Sequence, residues 1–318
     1  MNGNIAFDDS PFHAGERAVQ TKLGVRDRAE KLGRAMIRPF MPDQHREFFS
    51  TLSYLFVGIM DDDGLPWASI LTGDSGFIVS PNNKQLQINI HSHHQNHMIE
   101  RLIPGRAVGL LGIDLATRRR NRLNGIVSSV ADDGAVIQIN IAVRESFGNC
   151  PKYIQRREVY ARHRSTGFCT GEVGVDKVFN EQASKLISRA DTFFIASQYL
   201  SDDENHRASA DISHRGGEPG FVRIQDKKTL IFPDYSGNQH FNTLGNLSIN
   251  PGAGLLFVDC SQGNVLQLRG VSKILWDDPR QSEFAGAERL LEFTLRESTW
   301  IPNATPLRWR KVDKKRRR

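Results

Sequence analysis

The sequence predicts a mainly β protein, with two β-domains of similar plan behind a helical lead-in. From residue 55 onward, short apolar runs alternate with Gly, Asp and Asn turns, a pattern typical of antiparallel strands. Before that point apolar residues recur every three or four positions, as they do in helices. The second half of the chain then repeats the first at a nearly constant offset. The 318 residues are enough for two domains, and short regular strands favour a barrel or a sandwich.

The lead-in, residues 1–50, is predicted to be helical. Apolar spacing over residues 16–37 predicts one helix that ends before Pro39. Asp43 is placed to cap a short second helix. No residue of this segment belongs to a catalytic pattern, so we expect it to be structural.

The first β-domain is predicted to span residues 51–155. It opens with a hairpin, in which strands 55–59 and 67–71 flank an acidic turn that ends at Gly64. The remaining strands are predicted at residues 76–79, 86–90, 107–113, 123–130 and 135–143.

A connection over residues 156–190 follows, charged at first and helical over 178–190. The second β-domain is predicted over residues 191–310, and a basic tail occupies 311–318. We expect this tail to be a solvated terminus.

The two β-domains align with each other in four places that keep their order. The matched segments are 69–78 with 213–222, 109–114 with 254–259, Gly125 with Gly270, and 144–146 with 296–298. A nearly constant offset over four matches indicates two copies of one domain.

The copies differ in the residues that carry charge. Arg215 of the second copy corresponds to Leu71 of the first, whereas the first copy alone has an arginine cluster at residues 118–122. We therefore predict one polar site, in the second copy. The first copy is predicted to keep the scaffold and to have lost this site.

The predicted site begins with the sequence Ser-His-Arg-Gly-Gly at residues 213–217. Ser213 offers a hydroxyl and Arg215 a planar pair of donors, both suited to a phosphate. Gly216 and Gly217 would let backbone amides approach an anion closely. The alternative is that residues 213–217 form a plain turn and bind no anion.

A second polar run follows the next strand and is predicted to converge on the first. Its candidate residues are Pro233, Asp234, Asn238, His240, Asn242, Thr243 and Asn246. Their donors and acceptors suit a phosphate or a polyhydroxyl chain. The alternative, a helix start capped by Asn242 or Thr243, is compatible with this, because a helix N-terminus itself binds anions.

These motifs resemble the pyridoxamine 5′-phosphate oxidase-related FMN-binding family. The resemblance rests on SHRGGEPGFV, PDYSGN, NTLGN and GLLF in the second copy, and on RRRNRLNG and SFGNCPKYIQ in the first, as in two-barrel flavin-nucleotide-binding members. It implies tandem split β-barrels with FMN at the interface between barrels. Ser213, Arg215 and the Asn/Thr run would then hold the flavin phosphate. Arg120 and Arg122 would reach the flavin from the opposite barrel.

The sequence also departs from the family. Related sequences often carry arginine where Gln239 and His240 stand, and the helical features that bind pyridoxamine phosphate are not recognisable. We therefore do not expect oxidation of pyridoxamine phosphate.

The resemblance implies an FMN-dependent oxidoreductase of unassigned substrate. The flavin carries the redox chemistry, so no side chain is assigned as catalytic. A small-molecule substrate and external NAD(P)H or a reductase are the expected partners, and a homodimer remains open. The alternative is a module or sensor that binds flavin, haem or deazaflavin without turnover.

Other classes of protein are less well supported. Three scattered cysteines argue against disulfides and structural zinc, and Cys150 is expected to be a buried structural residue. The histidines at positions 91, 93, 94 and 97 lack fitting partners, so no metal site is predicted. No signal peptide and no apolar run of about 18 residues is visible, which predicts a cytoplasmic protein without a membrane span.

The net charge of +6 raises nucleic-acid binding as a third class. Aromatic residues do not interleave with the basic ones as stacking platforms would require, so a nucleic-acid partner is not predicted.

Overall fold

The structure is a computed structural model that describes residues 10–91, 98–162, 174–200 and 209–312. The predicted fold class is confirmed, since 47% of the described residues are in strands and 19% are in helices. Within these residues, no helix has the length and apolar character that crossing a membrane requires. The basic residues 314–318 lie outside the described part of the chain.

The lead-in contains three helices: α1 (Ala14–Lys22), α2 (Arg26–Met36) and α3 (Asp43–Ser50). The prediction of one helix over 16–37 was wrong, because the chain turns at Gly24, whose φ of +68° is left-handed. The amide of Val25 then donates to the Gln20 carbonyl at 2.9 Å, a bond that closes helix ends of this type. Apolar spacing continues across the break, which is why periodicity did not reveal it.

The first β-domain is one antiparallel sheet of seven strands. Along the sheet their order is β2-β1-β5-β6-β7-β4-β3. The strands are β1 (Tyr54–Ile59), β2 (Trp67–Thr72), β3 (Ile78–Asn82), β4 (Gln85–His91), β5 (Ala107–Asp114), β6 (Arg119–Asp132) and β7 (Val136–Gly148). A 3-10 turn, Ile99–Arg101, precedes β5. Each strand predicted here from sequence overlaps an observed one.

The connection contributes two strands and a helix: β8 (Arg157–Arg162), β9 (Gly174–Asp176) and α4 (Glu181–Arg189). Helix α4 begins later than predicted because the Asn180 side chain caps it by accepting from the Ala183 amide at 2.8 Å. Strand β8 pairs with the last strand of the chain, β17 (Leu307–Lys311), in a separate two-stranded sheet.

The second β-domain has the strand order β11-β10-β14-β15-β16-β13-β12, with β9 added beside β16. Counted from its first strand, this is the same order as in the first domain. Its elements are β10 (Thr192–Tyr199), β11 (Ser209–Gly216), β12 (Arg223–Ile224), β13 (Thr229–Tyr235), α5 (Asn242–Ile249), β14 (Gly252–Val258), β15 (Val265–Leu275), a 3-10 turn (Pro279–Glu283) and β16 (Ala287–Ile301).

Both sheets carry a bulge at a glycine of the predicted repeat. The β6–β7 pairing shifts between Asn124 and Gly125, and the β15–β16 pairing shifts between Arg269 and Gly270. A Cβ atom at Gly125 or Gly270 would lie 2.5 or 2.1 Å from a carbonyl oxygen of the partner strand. Glycine is therefore required at the same place in both domains.

A third hydrophobic core joins the two barrels, in addition to the core inside each. At its centre the rings of Phe56 and Phe194 stack with 3.5 Å between their centroids. Tyr54 packs edge-on against Trp309 of the small β8–β17 sheet. The barrels are thus held together by buried aromatic and aliphatic groups from both domains.

Replacing Phe56 by alanine is expected to lower the free energy of unfolding by about 3–5 kcal/mol, since a large buried side chain is removed from this shared core. Urea unfolding followed by circular dichroism measures the change. Tyr160→Ala is the control, because Tyr160 is 51% exposed and its loss should cost about 0.5 kcal/mol or less. Similar losses in the two variants would contradict a core that joins the barrels.

Candidate functional site

A cavity of about 120 Å³ lies where the two barrels meet. The second barrel contributes the end of β11, the end of β13 and the start of α5. The first barrel contributes β6 and the segment 149–153 that follows β7.

Most of the residues predicted from sequence are brought together in the wall of this cavity. They are Arg120, Arg122, Ser213, Arg215, Gly216, Pro233, Asp234, Asn238, Asn242 and Thr243. Two polar runs of the second barrel and one arginine-bearing strand of the first therefore converge, although up to 123 positions separate them along the chain (243 − 120 = 123).

Three predicted residues lie outside the cavity wall. Gly217 donates its amide to the carbonyl of Asp191 at 3.0 Å. His240 is 1% exposed and packs against Phe12, and burial lowers the pKa of its imidazole to about 4. Asn246 donates to the Ser197 hydroxyl at 2.9 Å. These three support the elements around the cavity rather than the cavity itself.

Arg122 crosses from the first barrel into the second. Its guanidinium donates to the Ser213 hydroxyl at 2.6 Å and to the Asn242 side-chain oxygen at 2.9 Å. It also forms an ion pair with the carboxylate of Asp211 at 2.9 Å. The Ser213 hydroxyl in turn lies 2.9 Å from that of Thr243. Arg122 of the first barrel thus reaches the polar runs of the second barrel within the same chain.

Strand alternation explains why only part of the arginine cluster reaches the cavity. Side chains of a strand point alternately to its two sides, so Arg120 and Arg122 face the cavity together. Arg118 lies in the preceding turn with a φ of +62°, and Arg119 instead donates to the carbonyl of Gln44 at 2.9 Å.

Arg215 is positioned by an acidic residue that was itself a candidate. Its guanidinium donates to Asp234, which also accepts from Arg289 at 2.7 Å. Asp234 is 5% exposed, so its charge is shared by two cations in a poorly hydrated place. The aspartate therefore fixes the orientation of Arg215 at the cavity wall.

Several nitrogen atoms of the wall are buried and have no hydrogen-bond partner among the described residues. They are Nε of Arg120, Nε of Arg122, Nε of Arg215 and Nε2 of His214. Burial, together with the Arg122 charge, lowers the pKa of Arg120 to about 10, whereas burial and Arg120 hold the His214 pKa well below its usual value. Buried donors without partners are uncommon and are usually met by a ligand or water. The wall is cationic and well suited to an anion.

The start of α5 adds backbone donors. Phe241, which precedes the helix, has a φ of +61°, and no side chain caps the helix start. Neither Asn242 nor Thr243 acts as a cap, in contrast to the alternative considered from sequence. Gln239 is also left-handed, with a φ of +63°. Two non-glycine residues in this region of backbone space are a strain that commonly occurs beside ligand sites.

The segment 149–153 was not predicted to be part of the site. The Tyr153 carbonyl lies so close to Gly216 that a Cβ atom there would be 2.1 Å from it. Gly216 is therefore needed for contact with the first barrel. The Tyr153 ring stacks on Tyr235 with 5.1 Å between centroids. Cys150, expected to be buried, is half-buried and lines the cavity.

The lead-in also contributes, although its sequence showed no functional pattern. Glu16 of α1 accepts from the Asn242 side chain, and His13 lies 2.9 Å from the Asn246 side-chain oxygen. Helices α1 and α5 touch at Gly15 and Gly245, where a Cβ atom on Gly15 would lie 2.2 Å from the Gly245 carbonyl oxygen. The two glycines are the feature of the sequence that indicates this helix contact. They lie 230 positions apart (245 − 15 = 230).

Three carboxyl groups cluster beside Arg122 and Asn242: Glu16 and Asp211 are buried, and Glu145 is half-buried. Burial raises the pKa of Glu145 to about 7, and it raises the pKa of Glu16 and of Asp211 as well. Glu145 accepts from the Asn124 side chain at 3.2 Å. Three acids around one arginine cannot all be ionised cheaply, so protons are retained here near neutral pH.

No group of three or more His, Cys, Asp or Glu residues that could hold a metal ion occurs in the described ranges. Of the four histidines at positions 91, 93, 94 and 97, those at positions 93, 94 and 97 lie outside these ranges.

The family model of pyridoxamine 5′-phosphate oxidase matches residues 179–310. This range covers α4 and the second barrel, including every second-barrel residue of the cavity wall. The resemblance predicted from sequence is therefore confirmed for this part of the chain. No curated protein matches the sequence.

Several solved structures are similar to about two fifths of the chain. One is a Clostridium acetobutylicum protein of the pyridoxinephosphate oxidase family that is related to general stress protein 26. Its sequence is 15% identical, the match covers 42% of this chain and 93% of that chain, and the TM-score is 0.28. Another is the FAD binding protein from Mycobacterium smegmatis, with 15% identity, coverages of 43% and 100%, and a TM-score of 0.27. The HupZ protein of Group A Streptococcus has 14% identity, coverages of 37% and 89%, and a TM-score of 0.27. TM-scores this low mark distant likenesses.

Replacing Glu145 by glutamine is expected to make stability less dependent on pH. The folded-state pKa of about 7 lies above the usual 4.5, so the stabilisation by the neutral acid is present at low pH. This stabilisation is lost as the pH rises from 4.5 through the folded-state pKa of about 7. From pH 5 to pH 8 the variant should gain roughly 2–3 kcal/mol over the natural protein.

Urea unfolding at several pH values measures this difference. Glu100→Gln is the matched control, because Glu100 is exposed and its replacement should leave the pH dependence unchanged. A constant difference between Glu145→Gln and the natural protein across this range would rule out a neutral Glu145 in the folded state.

Proposed function

We propose that the chain binds FMN through this cavity and is an FMN-dependent oxidoreductase of unassigned substrate. The observation that carries the FMN proposal is the cationic wall, in which three guanidinium groups each keep a buried Nε donor without a partner among the described residues. Such planar donors match a phosphate or a carboxylate. The family match over the second barrel supports a flavin as the carrier of that phosphate.

The size of the cavity defines which part of FMN it would hold. Pockets that enclose a whole small molecule usually measure about 300–1,000 Å³. The cavity here, at about 120 Å³, is smaller and fits the phosphate end. The rest of the flavin would lie outside this enclosed space.

The charges of the wall also fit a phosphate. Arg120, Arg122 and Arg215 supply three positive charges, which Asp234 and Asp211 offset only in part. Ser213 and Thr243 would add hydroxyl groups, and the uncapped start of α5 would add backbone amides.

The flavin supplies the redox chemistry when it is bound, and the residues of the wall bind and orient it. Burial lowers the pKa of His214 and keeps it uncharged, so its imidazole is not a proton donor near neutral pH. A wall that holds and orients the flavin suits the oxidoreductase proposal. It equally suits the alternative of a flavin-binding module or sensor without turnover.

We further infer that the two barrels are copies of one domain and that only the second binds flavin. The inference is supported by their equal strand order and by the two equivalent glycine bulges. Leu71 of the first barrel, aligned with Arg215, is 1% exposed and belongs to the core. One FMN per chain is therefore proposed.

Replacing Arg215 by alanine is expected to weaken FMN binding by about 10- to 100-fold, the range typical of a hydrogen bond to a charged group. Riboflavin has no phosphate, so the same change should alter its affinity by less than about threefold. Quenching of flavin fluorescence on titration with protein gives both affinities and the stoichiometry.

Arg296→Ala serves as the control for this titration, because Arg296 is exposed on the same barrel and lines neither this cavity nor the second one described below. Equal losses for FMN and riboflavin would show that Arg215 does not act on the phosphate. Absence of FMN binding at high micromolar concentration would overturn the proposal.

The oxidoreductase proposal makes a separate prediction about electron transfer. With bound FMN, the chain is expected to consume NADH or NADPH faster than the same concentration of free FMN, as followed by the loss of nicotinamide absorbance. Arg215→Ala, assayed at an FMN concentration that saturates only the natural protein, should return to the rate of free FMN. Binding without any such excess rate would favour the module or sensor.

A further inference from the structure

A second cavity of about 480 Å³ lies apart from the first and shares no lining residue with it. Several parts of the fold enclose it: α4, the start of β10, the loop between β14 and β15, the β8–β17 sheet, and side chains of β1 and β16. Its volume lies within the range of about 300–1,000 Å³ that is typical of small-molecule sites. Such sites also tend to occur where domains meet, as this cavity does.

Four aromatic side chains contribute to the walls. Phe56 and Phe194 of the core between the barrels form one part, and Trp300 and Trp309 form another. Leu186 of α4 is only partly buried at this position. Aromatic and aliphatic walls of this kind favour a flat apolar body, because they remove its surface from water.

The acidic groups of the wall already have partners. Asp191 is 3% exposed and accepts from Arg157 and Lys311, the latter at 2.8 Å. Asp259 accepts from the backbone amides of Ser261 at 2.9 Å and Gln262 at 3.0 Å. Burial raises the pKa of the Cys260 thiol, so it adds no negative charge.

A cation and a hydroxyl group in this wall remain available. Arg189, in the last turn of α4, is exposed and shows no ion pair with another described residue. The hydroxyl of Thr192 is buried and lacks a hydrogen-bond partner within the described ranges. A buried hydroxyl without a partner is unfavourable, and a ligand that reaches it would remove this cost.

From this combination we propose that the second cavity binds a small organic anion with a flat aromatic body. The apolar part lies among the aromatic side chains, and the anionic group lies toward Arg189 and Thr192. The proposal is independent of flavin binding, since the two cavities have no residue in common.

The probe for this site is 8-anilinonaphthalene-1-sulfonate, a flat aromatic anion that becomes fluorescent in apolar surroundings. The full chain is expected to bind it at one site in the micromolar range, with energy transfer from tryptophan. N-phenyl-1-naphthylamine, which lacks the sulfonate, should bind at least threefold more weakly. Saturating FMN should leave binding of the sulfonate unchanged, whereas displacement would place the probe in the first cavity and overturn the proposal.

Two variants test the position of the probe. Ala190→Phe should abolish binding by filling the cavity that Ala190 lines. Arg189→Gln should weaken it by about twofold to fivefold, as expected for an exposed charge pair. Arg28→Gln is the control, because Arg28 is an exposed helical arginine that lines neither cavity.

The natural urea midpoint and circular dichroism spectrum identify variants that retain the fold. If Ala190→Phe does not retain the fold, the test rests on Arg189→Gln and on N-phenyl-1-naphthylamine, the uncharged probe. Unchanged binding in Arg189→Gln, or equal binding of the two probes, would overturn the proposed anion site.

Discussion

The ion pair between Arg122 and Asp211 is the contact on which the arrangement of the candidate site depends. It joins β6 of the first barrel to β11 of the second, and both side chains are almost fully buried at 6% and 2% exposure. Removing one member of such a pair leaves an unpaired buried charge, which typically costs about 3–5 kcal/mol. The same guanidinium contacts Ser213 and Asn242, so it aligns both polar runs of the second barrel at once.

This contact also links the lead-in to the site. Asn242 accepts from Arg122 through its oxygen and donates to Glu16 through its nitrogen, so one side chain connects three segments that are distant in sequence. The glycine pair of α1 and α5 allows the helices to approach closely enough for this bond. A substitution in α1 would therefore alter the start of α5, where the proposed phosphate site begins.

The two barrels use equivalent positions for different purposes. At the place where the first barrel has Arg122, the second has Gln267, whose side chain donates to the carbonyl of Ala68 at 3.0 Å. Both residues thus reach across to the other barrel from the corresponding strand. Of these two residues, Arg122 is the one that brings a charge, which is consistent with one proposed site and not two.

Much of the fold followed from local signals in the sequence. Alternating apolar residues and turn signals identified the strands, because each strand has one side in a core. The repeat identified the glycines at the two bulges. A side chain at either position would clash with the neighbouring strand, so the need for glycine arises locally. Arg215 and Asn242 were likewise recognisable as candidates, because each stands in a polar run of the second copy.

What only the tertiary structure decided concerns contacts between distant segments. Glu16, Cys150 and Tyr153 carry no local pattern that places them near a phosphate site, and their positions follow from helix docking and from the meeting of the barrels. The break at Gly24 escaped detection because apolar spacing continued through it. The second cavity depends on many separate parts of the chain, so no sequence window contains it. Local periodicity determines which face of an element is buried, whereas packing determines what that face meets.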